Sequence, residues 1–233
     1  MPKKVSYLEQ SCLVVAMFFL LAIPARAALP GTVDSDGDGY DDATELANGY
    51  TPFGTGKLDA NDADQDGLTD ADEIIFGSDP LSKDSDLDGY NDGLEVRTGY
   101  DPTKPAAARL KKRIVITLAS QTMTYALGPK TLGTYKVSTG RPGHPTPLGT
   151  FAINDKKKRA WSNAAKLWMP YWMPFKGSTY GIHELPEWPG GKKEGENHLG
   201  TPVSGGCVRL GVGPAKALYE WAEVGTEVTI NKT

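Results

Sequence analysis

Two sets of residues in this chain have the types and spacing to do chemistry. The first surrounds a thiol, Cys207, in the run Ser204-Gly205-Gly206-Cys207-Val208-Arg209. Two glycines before a cysteine let the backbone approach a ligand closely, and consecutive amides beside the sulfur can bind an oxyanion. Arg209 adds positive charge two residues on, which favours a thiolate. A thiol nucleophile also needs a base. Beyond residue 105 the chain offers His144, His183 and His198 for that role. On these residues alone, a buried structural cysteine stands as the alternative.

The second set is acidic and repeats three times. Asp34, Asp36 and Asp38 precede Gly39 and are closed by Glu45; Asp62, Asp64, Asp66, Gly67 and Glu73 repeat the spacing, as do Asp84, Asp86, Asp88, Gly89 and Glu95. Each stretch satisfies the calcium-loop pattern D-x-[DN]-x-[DN]-G-x5-E. Calcium takes about six to eight oxygens, so alternating carboxylates converge on one point while the glycine permits the sharp turn. A backbone carbonyl at the seventh position, from Tyr40, Leu68 or Tyr90, and the closing glutamate complete the shell. A solvated acidic linker has no reason to keep this register three times, nor to follow it each time with glycine and proline (Gly49 and Pro52, Gly77 and Pro80, Gly99 and Pro102). The residues before each loop leave no room for an entering helix, which sets the array apart from paired helix-loop-helix calcium sensors.

The positions of these sets divide the chain. Its formal charge of −4 over 233 residues conceals four basic against twenty acidic groups in residues 30–105, and eighteen basic against eight acidic in residues 106–233. An apolar content of 39% is that of a globular protein and excludes a disordered one. Lys3 and Lys4, an apolar run from Cys12 to Ile23, and Ala25-Arg26-Ala27 have the order of a secretory signal peptide, with cleavage expected after Ala27. The run is well short of the ~20 residues that span a bilayer. Cleavage removes Cys12 and leaves Cys207 unpaired in an oxidising compartment, so the protein is expected to be exported, to the periplasm or cell envelope. No transmembrane segment after cleavage, no nucleic-acid partner and a monomeric state are expected.

The thiol and histidines must be positioned by short β-rich runs at 113–118, 122–127, 134–138, 150–154 and 227–230, separated by Gly and Pro. Only residues 214–223 read as helical, with Pro214 in the first turn and Ala217, Leu218, Trp221 and Ala222 on one side. The pattern predicts a mostly β domain, largely antiparallel, with a short helix. Residues 102–112 read as a linker, so the two halves are expected to fold independently.

Both halves resemble known families. The acidic segment resembles bacterial thrombospondin type 3 repeats, whose units end in GSDP or GYDP and run into the next DSD. Its first two loops start 28 residues apart and its last two 22 apart, because FGTGKLDAN is inserted between the first and second. Residues 112–231 resemble an L,D-transpeptidase catalytic domain through RIVITLASQTMTYAL, VSTGRPGHPTPLGTF, WMPYWMPF, YGIHE, LGTPVSGGCVRLG and LYEWAEVGTEVTI, in that order. The expected organisation is therefore a signal peptide (1–27), an irregular calcium-stabilised repeat array (28–103), a linker (104–111) and an L,D-transpeptidase-like β domain (112–231).

The resemblance implies cross-linking of peptidoglycan stem peptides through a cysteine thioester, with no catalytic cofactor and calcium serving structure alone. It implies Cys207 as nucleophile, His183 as base, the carbonyl of Glu184 orienting the imidazole, and the Gly206 region holding the oxyanion. Ser204, Gly205 and Arg209 match the remaining positions of the cysteine motif and are expected to face substrate. Hydrolysis of the same bond, as an L,D-carboxypeptidase, and calcium-dependent wall binding without activity are the alternatives. Many members carry histidine where this chain has Gly205. The chain also has a long segment between His183 and Cys207, whose Gly, Pro and Lys content predicts a mobile lid. His144 and His198 are expected to be loop histidines, and Trp168, Tyr171, Trp172 and Phe175 core or cleft wall.

Overall fold

The computed structural model describes residues 33–105 and 108–233; the signal-peptide segment, residues 1–27, lies outside the described residues. In the acidic half each loop runs directly into a seven-residue helix: α1 (Asp42–Asn48), α2 (Asp70–Phe76) and α3 (Asp92–Thr98). The array is irregular loop broken by these short helices. The helices follow the loops, and none enters them among the described residues. The glycines that recur after each glutamate end these helices: Gly49, Gly77 and Gly99 all have positive φ (72°, 87° and 89°), which L side chains disfavour. At the helix starts, Asp41 accepts from the Thr44 amide and Thr69 from the Asp72 amide.

The carboxylates one residue into each helix turn back onto their own loop. Asp42 accepts from the Ser35 amide and hydroxyl, Asp92 from those of Ser85, and Asp70 from the Ala63 amide. Successive units also interlock. The connection after α1 delivers Thr51, and the insertion Asn61, onto Asp70, and the Gly93 amide donates to Asp66 Oδ2 at 2.6 Å. A Cβ at Gly93 would lie 2.8 Å from the Asp66 carbonyl, so only glycine lets α3 press this close to the second loop.

The other half is a nine-stranded curled sheet in the order β4-β9-β1-β2-β3-β8-β7-β6-β5. Its strands are β1 (Lys112–Thr117), β2 (Thr122–Leu127), β3 (Lys130–Ser138), β4 (Gly149–Ala152), β5 (Lys157–Ser162), β6 (Leu167–Lys176), β7 (Tyr180–Glu184), β8 (Val208–Leu210) and β9 (Glu227–Asn231). Pairing is antiparallel except for β1 with β9 and β7 with β8. Alternating residues Ile114, Ile116, Met123, Val228 and Ile230 point to one fully buried core. The short helix α4 (Pro214–Trp221) closes that core with Ala215 and Leu218. Strands β5 to β8 carry fewer alternating apolar residues and were not legible as strands.

The two halves share a surface. Both carboxylate oxygens of Asp72, in α2, pair with Lys130 at the start of β3. Phe76, buried at the end of α2, lies against the turn at Gly128, where a Cβ would fall 2.7 Å from Leu110 Cδ2. The segment after the third repeat is pinned as well: Leu110 N donates to Gly99 O and Asp101 N to Ala108 O.

Gathering these carboxylates carries an electrostatic cost. Burial first, then the neighbouring aspartates, pushes Glu73 up to about 8, Glu95 to about 7 and Asp64 to about 6. A carboxylate raised above its unfolded value stabilises the fold below that value and loses the contribution as pH rises through the folded one. In chelator the array should therefore keep its helical circular dichroism near pH 5 and lose it between about pH 6 and 8, with calcium restoring it. Because α2 sits on the β2–β3 hairpin, hydrogen exchange in that hairpin should also quicken on chelation. An exchange rate indifferent to chelator would show that the contact carries no coupling.

Candidate functional site

The parallel pairing of β7 with β8 sets His183 opposite Arg209 and Ile182 opposite Val208. Directly opposed residues share a face, and so do residues two apart on a strand. His183 and Arg209 therefore lie on one face, while Ile182, Val208 and Leu210 fill the core on the other; Cys207 sits in the bend that leads into β8.

His183 is 3% exposed, and its Nδ1 lies 2.5 Å from the Glu184 carbonyl oxygen. A carbonyl can only accept, so Nδ1 carries the proton and Nε2 is left with its lone pair. Burial drives the imidazole down to about 4, partly opposed by the Glu184 carbonyl and reinforced by the Arg209 charge. Burial likewise raises the Cys207 thiol, against the opposing effects of the Gly181 amide and Arg209. Cys207 Sγ lies 3.6 Å from the Thr179 carbonyl. Both shifts favour the uncharged forms, thiol and imidazole, over the thiolate that Arg209 suggested in the sequence.

The turn holding Cys207 is built by side chains that sequence reasoning placed elsewhere or missed. Ser204, expected to face substrate, is fully buried: its hydroxyl donates to Cys207 O at 2.6 Å and accepts from Gly206 N at 3.0 Å. That second bond takes up the Gly206 amide, which was expected among the oxyanion donors. Thr146 Oγ1 donates to Gly206 O at 2.8 Å and accepts from Gly140 N at 2.9 Å. Behind it Gln121 bonds both the amide and the hydroxyl of Thr139, whose carbonyl accepts from Ser204 N. Thr139 and Thr146 lie in the run VSTGRPGHPTPLGTF that carried the family resemblance, but nothing in that run singled them out.

Of the other expected residues, Gly205 is exposed and Arg209 is ion-paired to Glu194 at 2.9 Å. His144 is exposed, and His198 sits 3.1 Å from Glu194. Trp172 and Phe175 are buried, Trp168 packs edge-on to Trp161, and Tyr171 packs against Tyr219. The segment expected as a mobile lid is tied down. Glu187 bridges backbone-to-backbone with Trp168 and ion-pairs Arg159, while Lys193 pairs with Glu184.

A family model described as the YkuD L,D-transpeptidase catalytic domain matches residues 111–230. The chain belongs to the L,D-transpeptidase family. Bacterial TSP3 repeats match at residues 34–49, 62–83 and 84–105. YkuD of Bacillus subtilis (strain 168), assigned by name to the L,D-transpeptidases, is 28% identical over 137 residues, which is 56% of this chain and 73% of YkuD. A solved L,D-transpeptidase from Mycobacterium smegmatis is 20% identical, with a TM-score of 0.47, over 54% of this chain and 60% of its own. Another, from Stackebrandtia nassauensis, is 25% identical with a TM-score of 0.45 over 81% and 87%. The chain thus spans about three fifths of the mycobacterial chain it matches.

The acidic triads have the form that a calcium ion needs. In each loop one oxygen from each of the three aspartates lies within 4.8 Å of the others. Buried carboxylate oxygens there lack hydrogen-bond partners, including both of Glu73 and one each of Glu45, Asp64, Asp86 and Glu95. Unpaired buried carboxylate oxygens are costly, and a divalent cation removes that cost. Among the described residues no helix is long and apolar enough to cross a membrane.

The two glycines before Cys207 should behave oppositely. A Cβ at Gly205 meets nothing within 4 Å, so Gly205→His should leave activity within about twofold, as surface changes do. Gly206 has φ +116°, and a Cβ there would fall 2.7 Å from Tyr180 Cε1. Gly206→Ala should therefore cost about 1–3 kcal/mol of strain in the turn and depress turnover at least tenfold. Assays of the two variants beside their melting curves would check this.

Proposed function

We propose that the domain transfers acyl groups between peptidoglycan stem peptides, through a thioester on Cys207. The observation that carries this reading is the Glu184 carbonyl at His183 Nδ1, which leaves Nε2 as a base on the strand paired with β8, the strand that Cys207 leads into. His183 Nε2 takes the thiol proton, and Sγ attacks the carbonyl preceding the terminal D-Ala of a donor stem. Transfer of the thiol proton to Nε2 forms the thiolate and the imidazolium together, because both partners start uncharged. With the Gly206 amide committed to Ser204, the Gly205 and Cys207 amides are the backbone donors left for the oxyanion. The tetrahedral intermediate collapses as the imidazolium protonates the leaving amine, releasing D-Ala and leaving the thioester. An acceptor side-chain amine then loses its proton to His183 and attacks the thioester, forming the cross-link and freeing Cys207.

In this reading Arg209 is a neighbouring charge and Ser204 a support of the turn; Gly205 lines the open approach. The array binds three calcium ions. Asp34, Asp36, Asp38 and Glu45 hold one, Asp62, Asp64, Asp66 and Glu73 the second, and Asp84, Asp86, Asp88 and Glu95 the third. The carbonyls of Tyr40, Leu68 and Tyr90 complete them. Bound calcium supplies charge neutralisation and no step of the reaction. A wall substrate and the amino-terminal segment support action outside the cytoplasm.

Incubation with purified muropeptides, read by mass spectrometry, tests the reading. A dimer with loss of D-Ala is expected; loss of D-Ala alone would make the enzyme a carboxypeptidase, and no change would make it a binding protein. Cys207→Ala should abolish product, and His183→Ala should lower it by about 10²–10⁴-fold. A carbapenem should give a single adduct on Cys207, and its appearance on another residue would overturn the assignment.

A further inference from the structure

The segment between His183 and Cys207 grips both of their strands with two successive residues. Lys193 pairs with the 3%-exposed side chain of Glu184, the residue after His183. Glu194 reaches Arg209, two residues after Cys207, placing Oε1 at 2.9 Å and Oε2 at 3.0 Å from the same Nη1. This second pair is well shielded, with Glu194 9% and Arg209 14% exposed. Attraction between the two charges is therefore much less screened than at the surface.

Arg209 matters because its charge bears on both Cys207 and His183. The groups facing its guanidinium can be followed element by element. From β7 the opposed residue is His183, and from β3 it is the uncharged Ser138. From the intervening segment come Glu194 and His198, the latter with Nδ1 3.1 Å from Glu194 Oε1 but not aligned to hydrogen-bond. Glu194 is thus the carboxylate that faces Arg209 at this point. We propose that Glu194 is a positioning residue for the Cys207 chemistry: it engages Arg209 with both oxygens, holds the middle of β8, and offsets the positive charge near the thiol.

The consequence concerns when the thiol ionises. With Glu194 in place, Cys207 holds its proton at neutral pH until His183 removes it beside a bound acyl donor. A neutral thiol is also less exposed to oxidation than a thiolate. Without the carboxylate the Arg209 charge is uncompensated, and the thiolate becomes easier to form.

This inference rests on the reading of Cys207 as nucleophile, but its test needs no turnover. The rate of Cys207 alkylation by iodoacetamide would be followed from neutral to alkaline pH, by mass spectrometry of the peptide containing Cys207. Glu194→Gln should lower the midpoint of the profile by about half a unit to one unit, making alkylation about three- to tenfold faster at pH 7. Glu194→Asp, which keeps the charge, should hold the midpoint near that of the unaltered protein. Glu194→Ser supplies a second neutral side chain if the glutamine variant does not fold. An unchanged midpoint in the neutral variants would overturn the proposal. So would a rate raised equally at every pH, because the segment would then merely cover the sulfur. Failure of the proposed transfer reaction would show separately, as absent muropeptide product with the shift in alkylation intact.

Discussion

Register between β7 and β8 sets His183 beside Arg209 and turns the neighbouring apolar residues into the core. The parallel ladder thereby brings the imidazole to the strand that Cys207 leads into, although 23 residues separate the two in the chain. A slip of one residue would turn His183 into the core and bring Glu184 to the Arg209 face. The ladder is held from behind by Ile182, Val208 and Leu210, all without solvent exposure. The same burial drives the His183 imidazole down and the Cys207 thiol up, so that both groups favour their uncharged forms. Packing and chemistry are one constraint here.

The turn before Cys207 shows how much hydrogen bonding is spent on placing one sulfur. Ser204 bonds at both ends of the turn, Thr146 clamps Gly206 from the neighbouring loop, and Gln121 fixes Thr139 beneath Ser204. Each of these groups is buried, so leaving any one unpaired would cost about 1–3 kcal/mol. The polar content of these loops is largely internal: it is used to hold the turn and not offered to solvent.

In the acidic half the order of forces is reversed. Few apolar residues are buried there, Leu68 and Phe76 among them, while carboxylates such as Glu73 and Asp70 have no solvent exposure at all. Such an arrangement is held by hydrogen bonds from loop amides to aspartate oxygens, and it calls for a cation. The docking of α2 against the β2–β3 hairpin ties this electrostatically poised unit to the sheet that carries Cys207.

What the sequence determined by itself was everything that depends on local spacing. The three calcium loops, their terminating glycines, β1, β2, β9 and α4, and the motifs around His183 and Cys207 are all contained within short runs. Their geometry follows from backbone conformation and period. The strands β5 to β8 were not legible, because their alternation is weak and their burial comes from partners far along the chain. The same reason hid the role of Ser204, whose hydroxyl is consumed only once the turn is folded. It also hid the anchoring of the segment after Glu184, whose Gly and Lys content reads as mobile until Glu184, Arg159 and Arg209 supply counter-charges from other strands. Tertiary structure decided these points because ion pairs and buried hydrogen bonds depend on distance in space, which a run of residues does not record.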